Sequence, residues 1–119
     1  MSFQTVYLEL GRTADFPEGS SNRGYEIVVP IDTDGHLDVD AWRANRAKCT
    51  VRRFWPGEPD REGELIHTRH RTWAISYEPG EEDDCPFFHL ESHLLTEGDY
   101  VTITEEDGQA RPYRIARIR

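Results

Sequence analysis

This chain of 119 residues has one lysine, one methionine, two cysteines and no apolar run longer than a few residues. The missing apolar run and the few cysteines each bear on the class of protein. Without a long apolar run there is neither a secretory core nor a membrane-spanning helix to read, and no basic segment precedes an apolar stretch at the N-terminus. The expectation is a cytoplasmic, soluble protein that does not enter a membrane. Cys49 and Cys85 have no close-spaced metal motif around them, and without an export signal they read as two reduced thiols rather than a disulfide. Thirteen arginines against a single lysine fit a need for planar, bidentate donors as well as a bias in genomic base composition, so the ratio alone assigns no function.

Apolar residues are also scarce, at 36% of the chain, below the usual share for a soluble domain. Three Trp, five Tyr and five Phe offset part of that, because each aromatic side chain buries a large area. The length suits a single domain with a small, aromatic-rich core.

The most local absence is of positive charge. From Thr72 to Ala110 there is no Lys or Arg among eleven carboxylates, densest at Glu81, Glu82, Asp83 and Asp84, whereas positions 41–71 carry eight bases and four acids. The net charge of −9 disfavours phosphate backbones and anionic lipid at long range. Such segregation points to an electrically lopsided surface and to a partner of opposite sign.

What is present reads as β-structure. Positions 3–10 alternate as a strand, 13–24 are rich in turn formers, and 25–29 form a short β-branched run that Pro30 ends or places at an edge. Asp38 is a candidate N-cap for the one expected helix, near 39–47, with Val39 and Trp42 on its buried side and Arg43 and Arg46 as a basic stripe. Positions 48–55, 64–69 and 72–77 read as a three-stranded meander, with 56–63 as a polar turn of eight residues. The acidic loop 78–86 follows, and 100–104 with 113–118 form a hairpin turning near Asp107 and Gly108. Pro112 lacks an N–H and belongs at an edge or outside the ladder. About eight short strands and one helix predict a mainly β single domain, 1–119, built as an antiparallel β-barrel or a compact β-sandwich.

Candidate chemistry is sparse. Cys85, His89 and His93 have the spacing for three zinc ligands if that stretch coils into a helical turn, but in a strand His89 and His93 would lie roughly 13 Å apart. His67 and His70 meet the same objection, so unconnected imidazoles are the simpler account and no cofactor is expected. The run Glu81 to Asp84 lacks the alternating carboxylates of a calcium loop. No nucleophile elbow, phosphate loop or dinucleotide fingerprint occurs, which leans away from an enzyme. Arg43, Arg46, Arg52, Arg53 and Trp55 make a basic and aromatic cluster suited to an anion or to single-stranded nucleic acid. Pairing with the acidic segment is the more economical use of those bases, and nucleic acid is not the expected partner.

The strings Leu10-Gly11-Arg12-Thr13 with Phe16-Pro17-Glu18-Gly19, Val51-Arg52-Arg53-Phe54-Trp55-Pro56-Gly57-Glu58 and Gly98-Asp99-Tyr100-Val101 together resemble a family of small bacterial proteins, chiefly proteobacterial, that has no assigned function. The resemblance spans nearly the whole chain. It implies a stand-alone bacterial cytoplasmic domain and lends no catalytic or binding residue. The leading expectation from the residues is a non-enzymatic binding or interaction module. It would present Glu81, Glu82, Asp83 and Asp84, with Phe87 and Phe88 as anchors, to a cationic protein partner; a homo-oligomer is compatible with it. The alternatives are a small metal-dependent or enzymatic domain using the His and Cys set, and an anion-binding module using the arginines between 43 and 53.

Overall fold

Alternating apolar residues place one face of nearly every strand in a shared core. The computed structural model describes residues 2–67, 73–77, 85–86, 95–105 and 107–119. It contains β1 (Ser2–Leu10), β2 (Ser20–Ile31), β3 (Thr50–Trp55), β4 (Glu58–His67), β5 (Trp73–Ser76), β6 (Cys85–Pro86), β7 (Tyr100–Thr104) and β8 (Ala110–Ile118). All pair antiparallel in one sheet of order β6-β5-β4-β3-β2-β1-β8-β7. The sheet curls into a half-barrel, and its end strands β6 and β7 approach one another without pairing. The expected β fold is therefore present as a single curled sheet.

Inside the curl, Val6, Leu8 and Leu10 of β1, Tyr25, Ile27 and Val29 of β2, Val51 of β3, Leu65 of β4, Ile75 of β5 and Ile115 of β8 are buried together. One end is plugged. The short helix α1 (Val39–Ala44) is capped by Asp38, whose Oδ1 accepts the Ala41 N–H at 3.0 Å. That cap satisfies one of the free N–H groups of the first turn. Trp42 enters the core from α1, donates its indole N–H to the Leu65 carbonyl at 2.9 Å, and meets Trp73 edge to face at 4.7 Å. The helix ends sooner than expected, and residues Arg46–Lys48 form a separate 3-10 turn.

Several boundaries differ from the sequence reading for reasons of backbone chemistry. β2 starts at Ser20 and runs through Pro30. The Pro30 carbonyl points away from β1 and accepts from Asp38 N–H, on the side where pairing with β3 has already ended. The missing proline donor is therefore not needed there. Pro112 is tolerated in the same way: it pairs with Thr102 of β7, while its carbonyl, on the β1 side, accepts from Gly11 just past the end of that ladder. The eight-residue polar turn shrinks to Pro56 and Gly57, because Gly57 takes a φ of 81° and lets Trp55 pair directly with Glu58. The first half of β4 looked like a loop because its outer face, Asp60, Glu62 and Glu64, is solvated. Pro86 belongs to β6 rather than to a loop, paired with Ala74. Among the described residues, no helix is long and apolar enough to cross a membrane.

Candidate functional site: the open mouth of the half-barrel

The end of the sheet opposite α1 is built from the C-terminal ends of β3, β5 and β7 and the starts of β2, β4 and β8. There the interior face stops being apolar. Register places Arg53 of β3 opposite Tyr25 of β2 and Arg61 of β4, so all three share the inward face. β8 puts Arg111 and Tyr113 on that same face, opposite Ile103 and Val101. Arg53, Trp55, Glu58, Arg61, Tyr77, Glu105, Asp107 and Arg111 surround a cavity of about 320 Å³. That is the size at which small-molecule sites begin.

At its floor lies Glu105, the one buried charged residue among those described, at 7% exposure. Tyr25 donates its hydroxyl to Oε2 at 2.7 Å, and Tyr113 donates to Oε1. The two rings meet edge to face with centroids 5.1 Å apart. Burial is the main reason that both phenols hold their protons far above the ordinary tyrosine range, with the neighbouring Glu105 carboxylate adding to the effect. Two hydrogen bonds to the ionised form make a buried carboxylate tolerable.

Arg53 lies above this floor with only 14% of its side chain exposed. Its guanidinium rests over Trp55, 4.5 Å from the ring centroid. Its carboxylate neighbours are loose, Glu105 at 3.5 Å and Glu58 at 3.6 Å. Arg111 is held more firmly, 2.8 Å from Asp107, whose carboxyl is kept below its usual range first by the Arg111 hydrogen bond. Arg61 packs over Tyr77 at 3.9 Å. Trp55 is braced by Phe16 edge to face at 6.2 Å and by Arg23, 5.4 Å from its centroid. A larger and shallower groove of about 660 Å³ lies around Tyr100 and the Glu9–Arg114 pair. None of its charged groups is buried as Glu105 is, so the mouth is the better-built site.

The basic cluster read from the sequence is divided by the pleat. Arg53 and Trp55 enter the mouth. Arg52 points outward and binds Glu26 at 2.5 Å and also Asp60. Arg43 and Arg46 stand at the helical end of the molecule, Arg43 at 3.3 Å from Asp40 and Arg46 over the Trp42 ring. Sequence reasoning missed Arg61, Glu105 and Arg111.

Glu81, Glu82, Asp83, Asp84, Phe87 and Phe88 lie outside the described residues, as do His70, His89 and His93. Cys85 is placed only as backbone of β6, paired with Ile75. His67 is exposed and stacks on Trp73 at 4.7 Å. Among the described residues, no group of three His, Cys, Asp or Glu side chains is arranged to hold a metal ion. Cys49 is buried and free, and burial raises its thiol pKa. Comparison with family models, with curated proteins and with solved structures yields no match for this chain.

Proposed function

We propose that this protein is a small binding domain that takes an anionic group of a small ligand in the open mouth of the half-barrel, with Arg53 as the anchor. The observation that carries the reading is the state of Arg53. It is largely desolvated, yet both of its carboxylate neighbours sit beyond good hydrogen-bond distance. A planar guanidinium in that state gains most from an oxyanion that arrives with two acceptors. Arg61 stands directly across the ladder from Arg53, so both guanidinium groups reach the same opening.

This reading narrows the basic cluster to Arg53 and Trp55 and adds Arg61 and Arg111. The other proposal, an acidic segment from Glu81 to Asp84 offered to a cationic protein, rests on charge density in the sequence and involves a different part of the chain. The mouth is preferred because its geometry supplies a cavity, a buried carboxylate and a largely buried guanidinium together.

The test is a titration with acetate, benzoate and inorganic phosphate, followed by the indole N–H resonances of the three tryptophans. Trp42 and Trp73 are buried at the far end, so only the Trp55 signal should move. Arg53→Gln should weaken binding at least tenfold, about 1.4 kcal/mol, and an Arg43→Gln, Arg46→Gln double variant should bind as wild type does. If none of these anions moves the Trp55 signal, the proposal is wrong.

A further inference from the structure

Among the described residues, the guanidinium groups of Arg53, Arg61 and Arg111 line the mouth together with the carboxylates of Glu58, Glu105 and Asp107. A pocket built only for an anion has no use for those carboxylates, because each repels the ligand that the arginines attract. The arrangement of the acids gives them a purpose. Asp107 is bound to Arg111 and accepts the Gln109 N–H at 3.0 Å. Glu105 is different: it faces the cavity and uses one lone pair on each oxygen for Tyr25 and Tyr113. An ionised carboxyl has about four acceptor sites, so Glu105 retains capacity beside the Arg53 guanidinium, 3.5 Å away.

We infer that the ligand is a zwitterion whose two charged groups share one carbon, a free α-amino acid, whose carboxylate meets Arg53 and whose ammonium meets Glu105. This inference rests on the anion-binding reading above and adds the second half of the ligand. The Arg53–Glu105 distance fits an ammonium and a carboxylate separated by one carbon. Arg53 and Glu105 already face one another at 3.5 Å, and a ligand that carries both charges lets each keep an opposite charge beside it when solvent is displaced. Glu58, with its side chain 54% exposed, is the neighbour free to swing aside when the ligand carboxylate takes its place. Trp55 and Tyr77 supply the walls for a side chain, and about 320 Å³ holds one amino acid rather than a long peptide.

The experiment uses the intact wild-type chain and compares three sets of probes by the Trp55 indole resonance. Leucine, glutamine and phenylalanine are each titrated beside the corresponding carboxylic acid lacking the amino group and the corresponding amine lacking the carboxylate. The expected result is that at least one amino acid binds tenfold or more tightly than both of its halves. If every carboxylate binds as well as its amino acid, the zwitterion inference is overturned and the anion reading survives. If no probe binds, both fall. Glu105→Gln should reduce the preference for amino acid over carboxylate to less than threefold, because it removes the partner of the ammonium and, with it, a charge that repels the bare carboxylate. Because Glu105 is buried and its substitution can unfold the chain, the wild-type comparison of probes decides the question by itself.

Discussion

Glu105 and its two tyrosines show how a single buried charge is made compatible with a small core. The carboxylate is stabilised by donors from two strands, Tyr113 on the neighbouring β8 and Tyr25 on the more distant β2, and so ties the middle of the sheet to the β7–β8 hairpin. Both phenols have raised pKa values, first through burial. The linkage sign follows. The folded state keeps protons that the unfolded chain releases near pH 10, so this contribution to stability is complete below that pH and declines above it. The slope is about 1.4 kcal/mol per pH unit for each tyrosine. Cys49, raised by burial in the same sense, adds its own alkaline decline, so the diagnostic quantity is a difference. Urea unfolding between pH 9 and 11 should show a shallower alkaline loss for Tyr25→Phe than for wild type, by about that amount per unit above pH 10. Identical slopes would show that Tyr25 is not held protonated in the fold.

At the scale of elements, two neighbouring residues in β3 explain why the site was hard to read. Arg52 and Arg53 are adjacent in sequence and opposite in space, because successive side chains leave a strand on opposite faces. One binds Glu26 and Asp60 outside, and the other enters the mouth. The alternation itself was legible in β1, in β3 and in the β7–β8 hairpin, as was the Asp38 cap, since apolar residues at period two and a capping side chain are local signals. Arg61, Glu105 and Arg111 were hidden for the converse reason: they occupy inward positions where the pattern calls for an apolar residue. For Glu105 a signal existed, since Val101 and Ile103 precede it on the same inward period. Glycines separate in the same way. At Gly24 an added Cβ would lie 1.8 Å from the Leu8 carbonyl oxygen in β1, whereas at Gly57 it meets nothing within 4 Å and only the positive φ opposes it. Gly57→Ala should therefore cost about 1–2 kcal/mol, and Gly24→Ala upwards of about 4 kcal/mol, because backbone must move. Urea midpoints measure both, and a Gly24→Ala protein as stable as Gly57→Ala would contradict the close approach of β1 and β2.

For the whole molecule the governing quantity is a net charge of −9 distributed unevenly along 119 residues. Self-repulsion of that size opposes compaction and is screened once the Debye length falls to about 10 Å near 0.1 M salt. The exposed ion pairs, Arg43 with Asp40 and Arg114 with Glu9, weaken under the same conditions, but each is worth only about 0–1 kcal/mol. Repulsion therefore outweighs them. The melting temperature should rise between 10 mM and 300 mM sodium chloride, and sodium sulfate is avoided because its exclusion from surfaces stabilises any fold. Converting Glu81, Glu82, Asp83 and Asp84 to lysine changes the charge by eight, from −9 to −1, and should remove most of that salt-induced rise. A wild-type melting temperature that falls with salt would mean that specific ion pairs, such as Arg52 with Glu26 and Asp60, outweigh the excess of acid. A salt-induced rise equally large in the four-lysine variant would mean that the acidic segment is not its source.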